Sequence, residues 1–286
     1  MEYAIVNGQR SAPLPRGRGC CQGCGGSVIA KCGELVRWHW AHVPHRACDP
    51  WSEPETQWHR DWKGRFPAEW REVAACDRET RETHIADVRV PDGPVIEFQH
   101  SGIRESERRS REQFYQHMYW VIDARACVHN LKLCEPLPAP GSDLIDDLYV
   151  AHCDRHYQEL MELPKRAFTF YRSRHIKLGK YFAAIETTWW EDGELCDSTQ
   201  QILEQTRPHW QGHRLMLWRR PRRQWLGSTC PVFLDIGSSL LLILPWSEPK
   251  DRGYYCVQEW THDDFVYLAA VGEPPPEQTW VWPATP

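Results

Sequence analysis

The sequence predicts an α/β fold (an α+β mixed sheet), and three observations carry this. Hydrophobic residues fill 41% of 286 positions, enough for a core at this length. The middle of the chain holds strand-like runs, EWREVAAC (69–76), HIADVRV (84–90) and PVIEFQ (94–99). A charge-rich helical run, GIRESERRSREQFYQHMY (102–119), and the apolar strand WVIDA (120–124) follow.

Composition shifts divide the chain into three blocks. Residues 1–50 are rich in Gly, Cys and His, residues 51–135 carry the helix and strand pattern, and residues 144–286 alternate helical and strand patterns. The breaker run EPLPAPGSD (135–143) separates the last two. In the middle block, Ser52 with Glu55 forms a capping-box pattern, so a helix is expected to start near residue 53. Glu55, His59 and Lys63 then share one stripe, with Trp58 and Trp62 on the next. ACVHNLKL (126–133) reads as a further strand, and SSLLLILPW (238–246) as a buried strand too short to span a bilayer. The opening MEYAIVNGQRSAPLP lacks an apolar signal-peptide core, so a cytoplasmic chain with reduced thiols is expected.

In such a compartment, 12 cysteines suggest metal binding more than disulfides. Cys21-x2-Cys24 precedes His39-x2-His42, two close donor pairs of the kind a tetrahedral structural zinc uses. Cys20, Cys32 and Cys48 are alternatives for one ligand. Cys127, Cys134, Cys153 and His156 form a looser second set.

Two carboxylates stand out. Asp87 in IADVRV and Glu97 in VIEFQ flank the turn Pro91-Asp92-Gly93, so adjacent antiparallel strands would bring them together. Gln99 lies two residues beyond Glu97, on the same strand face. Paired carboxylates suit a hard divalent cation such as Mg²⁺ or Mn²⁺. His100 is one residue out of phase with Glu97.

The order helix, three-stranded meander, helix, strand is that of the PD-(D/E)xK restriction-endonuclease-like core, here with Gln99 at the lysine position. The chain also resembles the CoiA-like nucleases, a family named for a bacterial competence protein. The matching stretches are Cys21-x2-Cys24, HWAH (39–42), EPETQWHRDWK (53–63), ADV (86–88), IEFQHSGI (96–103) and RESERRSREQFYQHMYWVID (104–123). The likeness covers roughly the first half of the chain. It implies a Mg²⁺-dependent deoxyribonuclease with Asp87, Glu97 and Gln99 in the active site. Glu55 and His59 face that site from the first helix, and a zinc module lies at the N-terminus. DNA entering during competence, or foreign DNA met in defence, is the implied substrate. The rival expectation is a nuclease-like fold that holds DNA or a partner without cutting.

A net charge of −5 gives no global attraction to nucleic acid, so contact with DNA needs local basic surface. RLMLWRRPRRQW (214–225) supplies Arg219, Arg220, Arg222 and Arg223 with no opposing acid, and Trp218 as a stacking platform. Arg108 and Arg111 on the second helix are further candidates for phosphate contact. The C-terminal half is expected to bind substrate, a protein partner or a second copy of the chain.

Overall fold

Period-two alternation builds the main sheet. In β7 (Thr83–Arg89), His84, Ala86 and Val88 are buried while Ile85, Asp87 and Arg89 are more open. All five residues of β8 (Val95–Gln99) and all six of β9 (Met118–Asp123) are buried, as central strands require. The computed structural model describes residues 1–43, 48–51, 55–77, 80–136, 139, 142–143, 148–152, 168–172, 204–244, 254–273 and 275.

The chain divides into two compact units. The first comprises Met1–Arg125, Arg222–Leu240 and Thr261–Pro275, and the second includes Ala126–Pro221 and Leu241–Trp260. The expected division into blocks 51–135 and 144–286 is therefore not how the contacts group. Segments from the last third of the chain return to complete the first unit.

The first unit begins with a five-stranded antiparallel sheet, β1 (Ala4–Val6), β2 (Gln9–Ser11), β3 (Arg18–Cys20), β4 (Ser27–Lys31) and β5 (His39–His42), in the order β2-β1-β3-β4-β5. Its core joins Ala4, Cys21, Val28 and Trp40. Arg10 ties this sheet to the next element by donating to the carbonyls of Ala68 (2.9 Å) and Arg71. Helix α1 (Gln57–Lys63) starts one turn later than the sequence suggested. Thr56 is the N-cap, and its capping box is closed by His59 rather than by an acid, while Ser52 lies outside the described residues.

The second sheet of this unit takes β6 (Arg71–Cys76), β7, β8 and β9, with β14 (Val232–Asp235) outside β9, in the order β14-β9-β8-β7-β6. The β6-β7-β8 meander is antiparallel, and β8, β9 and β14 run parallel. Helix α2 (Glu105–Tyr115) makes the crossover between β8 and β9, as parallel neighbours require. The observed succession α1-β6-β7-β8-α2-β9 is the one the sequence predicts. Trp62 stacks on Phe98 at 5.6 Å between ring centres, and Phe265 packs edge-on to Trp62 and Phe233. Phe265 belongs to α3 (His262–Val271), capped by Thr261, whose side chain accepts from the Asp264 amide. Each fully buried Phe of this kind contributes about 1.5–3 kcal/mol.

In the second unit, β10 (Leu131–Pro136), β13 (His213–Trp218) and β16 (Tyr254–Trp260) pair antiparallel, and β11 (Leu148–His152) pairs with β12 (Phe168–Arg172). Arg125–Asn130 form a 3-10 helix, so the strand expected over 126–133 begins only at Leu131. The apolar run read as a buried strand is β15 (Leu240–Ile243). Among the described residues no helix is long and apolar enough to cross a membrane.

Candidate functional site

The carboxylates meet where two strands part. The β7–β8 register pairs Val88 with Ile96 and Arg89 with Val95, which sets Asp87 opposite Glu97. The Asp87 amide donates to Glu97 Oε1 at 3.3 Å, and Asp87 Oδ2 accepts from the Phe98 amide at 3.0 Å. Beyond this point the edge of β8 bonds to side chains instead of to β7. His59 Nε2 donates to the Phe98 carbonyl at 3.1 Å. Its Nδ1 faces the Thr56 amide and hydroxyl at 3.3 and 2.9 Å. Both ring nitrogens of His59 are thus committed, and the residue fixes α1 to the fork.

A third carboxylate joins the row. The β6–β7 register (Arg71↔Val88, Val73↔Ala86) sets Glu72 beside Asp87, with Glu72 in the left-handed region at φ 47°. Glu72 Oε2 accepts from the Glu2 amide at 2.6 Å, and Oε1 accepts from Lys63 at 2.8 Å. Lys63 also pairs with Glu55, which lies just before the N-cap of α1. Burial works against the Lys63 ammonium, but Glu72, Asp87 and Glu55 outweigh it and hold its pKa above the ordinary value. Glu72 is held below the usual carboxylate range: burial opposes this, and Lys63 and the N-terminal ammonium prevail.

Glu97 behaves differently. Burial and then the neighbouring Asp87 charge push its carboxyl up to about 8, although Arg111 donates to Oε2 at 2.9 Å. Gln99 is 1% exposed; its Nε2 donates to the Ser101 carbonyl at 3.3 Å, while its Oε1 is buried with no hydrogen-bond partner. This buried acceptor lies on the strand face it shares with Glu97. The two arginines expected at phosphate turn inward: Arg111 pairs with Glu97 and Glu107, and Arg108, fully buried, pairs with Glu112.

On the next residue the parallel strands carry a second row. The register that sets Gln99 beside Ile122 sets His100 beside Asp123, and Asp123 pairs with Asp235. All three lie at the C-terminal ends of parallel strands, where open α/β sheets present their ligand crevice. Asp235 accepts from the indoles of Trp58 (2.8 Å) and Trp62 (2.9 Å). The sequence places His100 out of phase with Glu97, and this row has no local signature because its partners come from β9 and β14.

The N-terminal cysteines converge as expected, with one exchange of ligand. Cys21, Cys24, His42 and Cys48 place their donor atoms within 4.8 Å of one another. His39 is not among them. The H-x2-H pair was read without a backbone, but 39–42 is a strand, and residues three apart on a strand face opposite sides. His42 shares its side with the buried Trp40, whereas His39 Nδ1 lies 2.9 Å from the Arg37 carbonyl. The spacing fits zinc: Cys21 and Cys48 sulfurs are 3.7 Å apart, and Cys24 Sγ is 3.4 Å from His42 Nε2. A tetrahedron with Zn–S near about 2.3 Å calls for about 3.8 Å and about 3.5 Å. The glycine knuckle supplies amide donors to the sulfurs, Gly23 to Cys21 and Gly26 to Cys24, each at 3.4 Å. Gly25, at φ +66°, makes that turn possible. Burial, then the adjacent Cys21 and Cys24 thiols, raise Cys48 to about 12 in the metal-free cluster.

The basic run separates by burial. Arg219, Arg220 and Arg223 are exposed and Arg222 is half-buried. Trp218 is 2% exposed in β13 against Tyr255, so it is core and not a stacking platform. Of the looser cysteine and histidine set, Cys153 and His156 lie outside the described residues. No family model, curated protein or solved structure matches this chain.

Proposed function

We propose that the chain is a divalent-metal-dependent deoxyribonuclease of PD-(D/E)xK type, with Asp87 and Glu97 as the carboxylate pair. The observation that carries this reading is their in-register meeting at the β7–β8 fork, with the open Gln99 acceptor beside them. Protein donors orient both acids: the Asp87 amide and Arg111 hold Glu97 Oε1 and Oε2, and the Phe98 amide holds Asp87 Oδ2. Asp87 and Glu97 would hold Mg²⁺ or Mn²⁺, cations that prefer such oxygen donors. When bound there, the cation supplies a water of lowered pKa and stabilises charge on a scissile phosphate.

The chain's own residues do the positioning. Gln99 Oε1 accepts from the attacking water and orients it. Lys63, kept charged by Glu55, Glu72 and Asp87, replaces the missing strand lysine as the cation beside the pair. Glu55 and His59 act through α1, the first by holding Lys63 and the second by anchoring the helix to β8. Arg219, Arg220, Arg222 and Arg223 supply DNA contact, and the Cys3His cluster supplies a structural zinc site for the N-terminal sheet. Incoming or foreign DNA in the cytoplasm is the substrate this reading assigns.

Incubation of end-labelled DNA with purified protein and a Mg²⁺ or Mn²⁺ titration tests the reading. Metal-dependent cleavage is expected. Arg111 already pairs with Glu97, and DNA binding without cleavage at any metal concentration would favour the non-cleaving reading.

A further inference from the structure

We propose that His100 is a catalytic residue of this site, giving the proton that the leaving oxygen of the cleaved phosphodiester needs, with Asp123 as its positioning residue. The inference rests on the nuclease reading above.

Three observations carry it. His100 Nδ1 lies 2.7 Å from Asp123 Oδ2, so a buried carboxylate orients a ring that is itself 45% exposed. Burial would raise Asp123, but hydrogen bonds from Arg125 and His100 hold it below the usual range, so it accepts from Nδ1–H and leaves Nε2 directed away from that bond. The ring stands beside α1, 6.2 Å between centres from Trp58 and from His59, the residue that bonds the Phe98 carbonyl at the fork. His100 directly follows Gln99, the last residue of β8, three residues beyond Glu97. Three ionisable groups near the fork are already committed: His59 by both nitrogens, Lys63 by two carboxylates and Arg111 by Glu97 and Glu107. Among the described residues, the charged or titratable groups around His100 are Asp123 at the end of β9, Arg125 just after it and His59 from α1, with Asp235 next along the row on β14.

The step balances without an added reagent. Water forms the new P–O bond and releases its proton to solvent. The P–O bond to the leaving oxygen breaks, and the imidazolium gives that oxygen its Nε2 proton. The half-exposed ring then regains a proton from bulk water.

The test compares two oligonucleotides, one plain and one with sulfur at the bridging leaving position of the mapped cleavage site. A thiolate leaves without a proton, so loss of a general acid is invisible on it. His100→Ala should slow the plain substrate by on the order of 100-fold or more, and cut the sulfur substrate near the wild-type rate. DNA affinity should not change. Nitrogen-15 spectra should show the neutral His100 ring protonated at Nδ1. Equal slowing on both substrates, no slowing on either, or an Nε2–H neutral ring would overturn the assignment. A wild-type protein that cuts neither substrate would overturn the nuclease reading, and this inference with it. Cutting by wild type that His100→Ala leaves unaltered overturns this inference alone.

Discussion

Asp87 and Glu97 sit opposite each other across β7 and β8, and the Asp87 amide reaches Glu97 Oε1 at 3.3 Å. Two carboxylates this close, one of them fully enclosed, oppose each other's charge. The protein keeps both by surrounding them with Lys63, Arg111 and main-chain amides.

That repulsion has a pH signature. In the metal-free protein Glu97 titrates near 8, against 4.5 for an ordinary glutamate. A raised carboxyl binds more protons folded than unfolded, so stability falls as pH rises from the unfolded value through the folded one. Metal-free protein should therefore lose stability between about pH 4.5 and about pH 8. Glu97→Gln should flatten that slope in denaturant titrations run across the interval. An unchanged slope would mean that Glu97 is not the group responsible.

Lys63 is 3% exposed between Glu55 and Glu72. Lys63→Met leaves Glu72 buried and unpaired, and breaking such a pair costs about 3–5 kcal/mol. Adding Glu72→Gln should recover part of the loss, so the double variant should be more stable than the two single effects summed. Urea unfolding of the three variants measures this coupling.

For the N-terminal cluster, protein purified without chelator should contain one equivalent of zinc. Cys48→Ser should lose it and His39→Ala should keep it. Elemental analysis decides between the Cys3His set and the paired-histidine set.

The arginine run predicts a salt effect. Each lost phosphate contact lowers the slope of log affinity against log salt by about one unit. Replacing Arg219, Arg220, Arg222 and Arg223 together should weaken DNA binding and flatten the slope. Trp218→Ala should instead lower stability, since its side chain is buried. Equal affinity and equal slope for the quadruple variant would leave the run as a solvated surface.

The sequence made the pair legible because a strand has one period: Asp87, Glu97 and Gln99 follow from alternation across a tight turn. What it hid has physical reasons. Glu72 joins the row through the β6–β7 register, with a left-handed backbone that no local pattern announces. The H-x2-H spacing reads alike on a helix and on a strand, and only the strand turns His39 away. β14 and the helix capped by Thr261 join the first unit through parallel pairing and aromatic packing far along the chain, which leave no local pattern. The His100–Asp123 contact is invisible for the same reason, since parallel register is set by the crossover and not by a turn.

The central claim is that Asp87 and Glu97 form the metal-dependent cutting centre. The most direct measurement is the cleavage rate of end-labelled DNA in saturating Mg²⁺ or Mn²⁺, for wild type, Asp87→Asn and Glu97→Gln, each checked for folding by circular dichroism. Cleavage by wild type and none above background by either folded variant is expected. Cleavage near the wild-type rate by either would contradict it.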